Sequence, residues 1–163
     1  MKRIILHWTA GTYDVSAHEK ECYHFIVNSK GEVIPGKFKP EDNLNCADGK
    51  YAQHTGGGNT GSIGIAMSGM YVPNGIPVKS SKDPLTKIQC ERFFKLIAEL
   101  SKKYNIPINA DNVMTHFEFG LKHPNTSSAG KIDIIYLPPY PGQRQSEVGN
   151  FIRTKAIWYL KHI

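Results

Sequence analysis

Long apolar runs are missing from this chain. Nothing in its 163 residues approaches the roughly 20 consecutive apolar residues that cross a bilayer, so no transmembrane segment is expected. The basic start Met1-Lys2-Arg3 is followed by an apolar stretch that stops at Leu6, short of the about 7 to 15 residues of a signal-peptide core. The expectation is synthesis in the cytoplasm without a signal peptide. Cysteine is also scarce. Cys22, Cys46 and Cys90 are odd in number and widely spaced, which excludes a small disulfide framework and fits reduced thiols. Acidic residues are outnumbered, 14 against 20 Lys and Arg, for a formal charge of +6. That balance favours an anionic partner such as nucleic acid, a membrane surface or an acidic cell-wall polymer. No basic-aromatic motif accompanies the charge, so no nucleic-acid partner is expected. Repeats, low-complexity tracts and linkers are absent too, and one domain over residues 1–163 is expected.

Two motifs are present only in part. Gly56-Gly57-Gly58 lacks the Gly-Lys-Ser/Thr that a phosphate-binding loop requires. His116-Phe117-Glu118 gives the H-x-E of nucleotide deaminases, but their Pro-Cys-x-x-Cys partner is missing.

What is there begins with Ile4-Ile5-Leu6-His7, which reads as a buried strand ending in a rigidly held histidine. Residues 23–36 alternate around Asn28-Ser29-Lys30-Gly31 and predict a β-hairpin. Ser62 to Ser68 predicts another strand, and Lys39 to Gly61, rich in Asn, Asp and Gly, a long surface loop. Thr86 and Gln89 fit a capping box opening a helix with Leu85, Ile88, Phe93, Leu96, Ile97, Leu100 and Tyr104 as its apolar stripe, ended by Asn105 and Pro107. Ser146 is the expected cap of a second helix to about Lys161, with Val148, Phe151, Ile152, Ala156 and Tyr159 inward. Strands interleaved with helices argue for an α/β or α+β class, a central mixed sheet covered by helices.

Catalytic zinc sites take three ligands from His, Cys, Asp or Glu and leave one position open. His7 and His116 are the leading pair, although their sequence separation carries no information by itself. Together with Tyr23-His24-Phe25, Asn59-Thr60-Gly61-Ser62-Ile63-Gly64 and Lys131-Ile132-Asp133 they suggest a mononuclear zinc hydrolase.

Taken in order, Ile-Leu-His-Trp-Thr-Ala, Tyr-His-Phe-Ile-Val, Asn-x-x-Ser-Ile-Gly-Ile, Thr-His-Phe-Glu and Lys-x-Asp, from about Ile4 to Asp133, resemble the zinc-dependent N-acetylmuramoyl-L-alanine amidases. That family includes phage lysozyme-type amidases and peptidoglycan recognition proteins. The resemblance implies His7, His116 and Asp133 as zinc ligands and Tyr23 and Lys131 as catalytic residues. It also implies His54, with Asn59 and Ser62 of the following segment, along the substrate groove. Zinc would activate a water and polarise the amide, Lys131 would steady the oxyanion, and Tyr23 would orient the water or a proton. His24 or Glu118 would fix the histidine tautomers from behind. Leu121 to Gly130 looks like an insertion, and His123 within it is the rival third ligand. Asp133 is preferred for its Lys-x-Asp context.

The implied activity is hydrolysis of the bond between N-acetylmuramic acid and L-alanine in peptidoglycan. The implied setting is cell wall degradation by an endolysin or antibacterial effector, with an inhibitor or immunity protein as a candidate partner. The alternatives are a non-catalytic peptidoglycan-binding module and a cytoplasmic muropeptide-recycling amidase. A monomer is the expected state.

Overall fold

Side chains alternate across a strand, so a strand buried on both faces must offer something suitable to each. In β1 (Arg3–Trp8) Ile4, Leu6 and Trp8 face a large apolar cluster, while Ile5 packs with Met114 and Phe119 on the opposite side. β4 (Ser62–Met67) repeats the pattern. Ile63, Ile65 and Met67 enter the large cluster, and the small residues Gly64 and Ala66 lie on the face that Ile5 and His7 share. The computed structural model describes residues 1–74 and 76–163 in full.

The remaining strands are β2 (Phe25–Val27), β3 (Val33–Pro35) and β5 (Val113–Thr115), and the sheet order is β3-β2-β4-β1-β5. β2, β4, β1 and β5 run parallel and β3 is antiparallel, so the sheet is mixed as expected. Parallel neighbours need crossovers, and the helices are α1 (Ala17–Cys22), α2 (Lys87–Tyr104), α3 (His116–Lys122) and α4 (Val148–Leu160). α2 and α4 pack together over one face of the sheet, while α3 lies against β1 and β5.

The hairpin, β4 and α2 fall where the sequence places them, and Thr86 and Gln89 form the reciprocal capping box with Asn105 in a left-handed C-cap. Ile88, expected on the inner stripe, is instead 61% exposed. It sits in the first turn of α2 and covers Gly31 of the hairpin, and Cys90 and Phe94 join the buried face in its place. Gln89 is fully buried because its amide donates to Val27 O and Ser68 O, closing the ends of β2 and β4. Ser146 does not cap α4. Glu147 holds that position without a side-chain bond to the first turn of the helix, its carboxylate accepting from Arg144 N instead, and the helix grows from a turn in which Glu147 and Val148 donate to Arg144 O.

Lys39 to Gly61 is more than surface. Pro40–Leu44 forms a short 3-10 turn, and fully buried Asn43 accepts from Ala52 N and donates to Ala52 O and Asn59 O. These bonds fold the loop back across the sheet face that carries His7.

Candidate functional site

His7 lies near the carboxyl end of β1, and His116 opens α3 immediately after the adjacent parallel strand β5. The carboxyl edge of parallel strands is where α/β sheets place ligands. Thr115 N-caps α3 in a capping box with Glu118, which turns the chain sharply enough to bring His116 beside His7, ring centroids 4.7 Å apart. Asp133 arrives from the segment beyond α3. Its carbonyl accepts from Phe117 N, and Ile134 takes a left-handed backbone, φ 61°. That conformation is costly for a β-branched residue, and here it sends Asp133 to the site while Ile134 enters the helical core.

The donor atoms of His7, His116 and Asp133 lie within 4.8 Å of one another. Asp133 Oδ2 is 2.7 Å from His7 Nδ1 and 3.1 Å from His116 Nδ1. All three residues are buried. Burial lowers the His7 pKa, against the opposing pull of Asp133. Burial alone would raise the Asp133 carboxyl, but the bonds to His116 and His7 hold it well below the usual range. The far nitrogens also have partners. His7 Nε2 is 3.3 Å from both Thr55 Oγ1 and His54 Nδ1, and His116 Nε2 is 2.9 Å from Ser128 Oγ. Without a metal the two contacts to Asp133 are Nδ1–H donations to the carboxylate. A divalent cation taking the place of those protons would meet two imidazole lone pairs and a carboxylate oxygen at one point, a donor set that suits such a metal.

Above these donors opens a cleft of about 420 Å³. Tyr23, His54 and Lys131 line it together with His116 and Asp133, and Trp8, Tyr71, Val72 and Val78 supply apolar wall. The Tyr23 ring sits 5.1 Å from that of His7, and burial, with the charge of Asp133, pushes its phenol upward, so it remains a neutral O–H donor. Lys131 is exposed on the rim. The His54 ring fills the space beside Gly64, where a Cβ would stand 2.2 Å from Cγ of the ring.

Several expected residues lie elsewhere. Asn59 and Ser62 do not line this cleft. Asn59 Oδ1 accepts from His54 N and Thr55 N and so shapes the loop beneath them, while Ser62 Oγ accepts from Arg3 Nε at 3.0 Å. His24 and Glu118 do not stand behind the donor histidines. His24 bonds Asn43 and Gly64 N, and Glu118 takes a bidentate pair from Arg153. His123 is the exposed C-cap of α3, its ring 4.2 Å from Phe119, and it is not among the clustered donors. Thr55 and Ser128, which do contact the histidines, carry no sequence signal beyond polarity.

The fold is thus a mixed sheet with a buried His-His-carboxylate cluster, one that could hold a metal ion, at the carboxyl edge of its parallel strands. Residues 1–134 match the family described as N-acetylmuramoyl-L-alanine amidase, and the chain belongs to that family. Among solved structures it is similar to the N-acetylmuramyl-L-alanine amidase AmiD from E. coli, solved with the substrate anhydro-N-acetylmuramic acid-L-Ala-D-γ-Glu-L-Lys. The TM-score is 0.53 at 19% identity, over 82% of this chain and 52% of that one, so this chain spans about half the length of AmiD. It is also similar, at TM-score 0.49 and 19% identity over 71% of this chain and 69% of that one, to the N-acetylmuramoyl-L-alanine amidase LysC from Clostridium intestinale URNW. No curated protein matches it. Among the described residues no helix is long and apolar enough to cross a membrane.

Proposed function

We propose that the chain is one catalytic domain that uses zinc to hydrolyse the amide between the lactyl group of N-acetylmuramic acid and L-alanine of the peptidoglycan stem peptide. The carrying observation is the convergence of His7 with His116 and Asp133, the latter two lining the cleft, within the residues that match the amidase family. Zinc, held by those three residues, would supply an activated water and a polarised amide carbonyl.

The chain's own residues do the rest. Tyr23, kept neutral by burial, donates a hydrogen bond that orients the attacking water or the departing amine. Lys131 stands two residues from Asp133 on the rim, placed to steady the negative charge that develops on the carbonyl oxygen. The buried floor and the apolar wall limit water around the reacting amide. Cleavage breaks the C–N bond, leaves a lactyl carboxylate and frees the alanine amine, which takes up a proton.

His54 borders the substrate and also backs His7. The net charge of +6 supports action on an anionic wall, as an endolysin or an antibacterial effector, over recycling of small muropeptides. The test is incubation with a synthetic muramoyl-L-alanyl peptide. Release of a peptide with a free alanine amine, abolished by chelation and restored by zinc, is the expected result, and an intact substrate with zinc-loaded protein would contradict the proposal.

A further inference from the structure

We propose that Ser128, carried by the segment between α3 and Asp133, is a positioning residue for His116, fixing its imidazole proton on Nε2 so that Nδ1 faces the metal. This rests on the metal site proposed above. Ser128 is fully buried, so its single hydroxyl proton must be placed among protein partners. Gly56 O, 2.7 Å from Oγ, can only accept. The proton therefore goes to Gly56, and Oγ is left to accept Nε2–H of His116 at 2.9 Å. The chain from His116 through Ser128 to Gly56 has one consistent polarity, and with a proton kept on Nε2 the Nδ1 atom, 3.1 Å from Asp133 Oδ2, is the one that can give up its bond to the carboxylate for a metal.

The surroundings are shaped to admit this segment. A Cβ on Gly120 would stand 2.2 Å from Ser128 O, and Cβ atoms on Gly56 and Gly57 would meet Ser127 and Thr126 at 1.7 and 2.4 Å. The glycine run that is no phosphate loop is thus a seat for residues 126–128. Thr126 Oγ1 also accepts from Ser128 N, and Ser128 O accepts from Lys131 N, so the turn that holds the hydroxyl continues directly to Lys131 and Asp133. The inserted segment contributes the partner of a candidate ligand rather than the ligand His123.

The test measures zinc affinity by competition with a chromophoric chelator for the wild type, Ser128→Ala and Ser128→Thr, alongside long-range proton–nitrogen NMR of His116 in the zinc-loaded wild type. We expect Ser128→Ala to weaken zinc binding about 10- to 100-fold, Ser128→Thr to recover most of it, and His116 to carry its proton on Nε2. Unchanged affinity in Ser128→Ala, or a proton on Nδ1 in the wild type, would overturn the assignment. A wild type that binds no zinc would overturn the metal reading and this assignment with it, whereas zinc bound equally by wild type and Ser128→Ala overturns the assignment alone.

Discussion

A histidine becomes ligand-like through what stands behind it, and each donor histidine here has a hydroxyl at its far nitrogen, Thr55 for His7 and Ser128 for His116. Replacing His7, His116 or Asp133 with alanine should therefore abolish stoichiometric zinc binding, while His123→Ala should keep it, as read by metal analysis of dialysed protein. Retained zinc in Asp133→Ala would break the proposed ligand set. Tyr23→Phe and Lys131→Ala should bind zinc normally but turn over slowly, Lys131→Ala by about 100-fold in kcat; full activity in either removes that residue from the mechanism. The three clustered donors were legible through the ordered combination of segments that resembles the amidase family, with His7 also marked as the end of an apolar strand and Asp133 by its Lys-x-Asp context. Thr55 and Ser128 were not, since their role depends on loops far apart in sequence meeting in space. Asn59 and Ser62 stand in a recognisable segment, but their side chains serve the loop and Arg3 rather than the cleft.

Elements place these residues through small side chains as much as large ones. Gly64 on β4 leaves the space that the His54 ring occupies, so Gly64→Ala should force that ring out and destabilise the fold by roughly 1–3 kcal/mol, measured by urea unfolding. α3 is braced from behind, where Arg153 of α4 donates to Val113 O and to both oxygens of Glu118. Arg153→Ala leaves Glu118 without its partner and should cost about 3 kcal/mol, seen as a lower thermal midpoint. An unchanged midpoint would mean α3 is held by other contacts. β1 and β4 were readable as apolar six-residue runs, the hairpin from its Asn-Ser-Lys-Gly turn between alternating residues, and α2 from its capping box and apolar stripe. β5, at Val113–Thr115, and α1, at Ala17–Cys22 with no buried residue, are too short for periodicity to mark, although the Ser16/Glu19 capping box announces α1 locally. Ser146 failed as a cap because the turn at Arg144 starts α4 through Glu147 N and Val148 N on Arg144 O and through the Glu147 carboxylate accepting from Arg144 N.

At the scale of the whole molecule, α4 lies beyond the 134 residues that match the family, yet it completes the apolar core with Val148, Ile152 and Ala156 and reaches the site region through Arg153. Burial of several histidines also ties stability to pH. His24 is held down to about 4 by burial, despite its bond to Asn43, whereas an unfolded histidine titrates near 6.5. The unfolded chain therefore takes up a proton first as pH falls, and stability should drop between about pH 6.5 and 4, by up to roughly 3 kcal/mol from His24 alone. Buried His7 and His54, both shifted down, act in the same direction. Urea midpoints of the metal-free protein across that range check this, and a flat profile would contradict it. The most direct test of the central claim is mass spectrometry of purified peptidoglycan after incubation with the protein, with chelator and with zinc restored. The predicted products are free stem peptides beginning at L-alanine beside intact glycan strands, lost with chelator and recovered with zinc; uncut sacculi, or fragments broken within the glycan, would contradict the account.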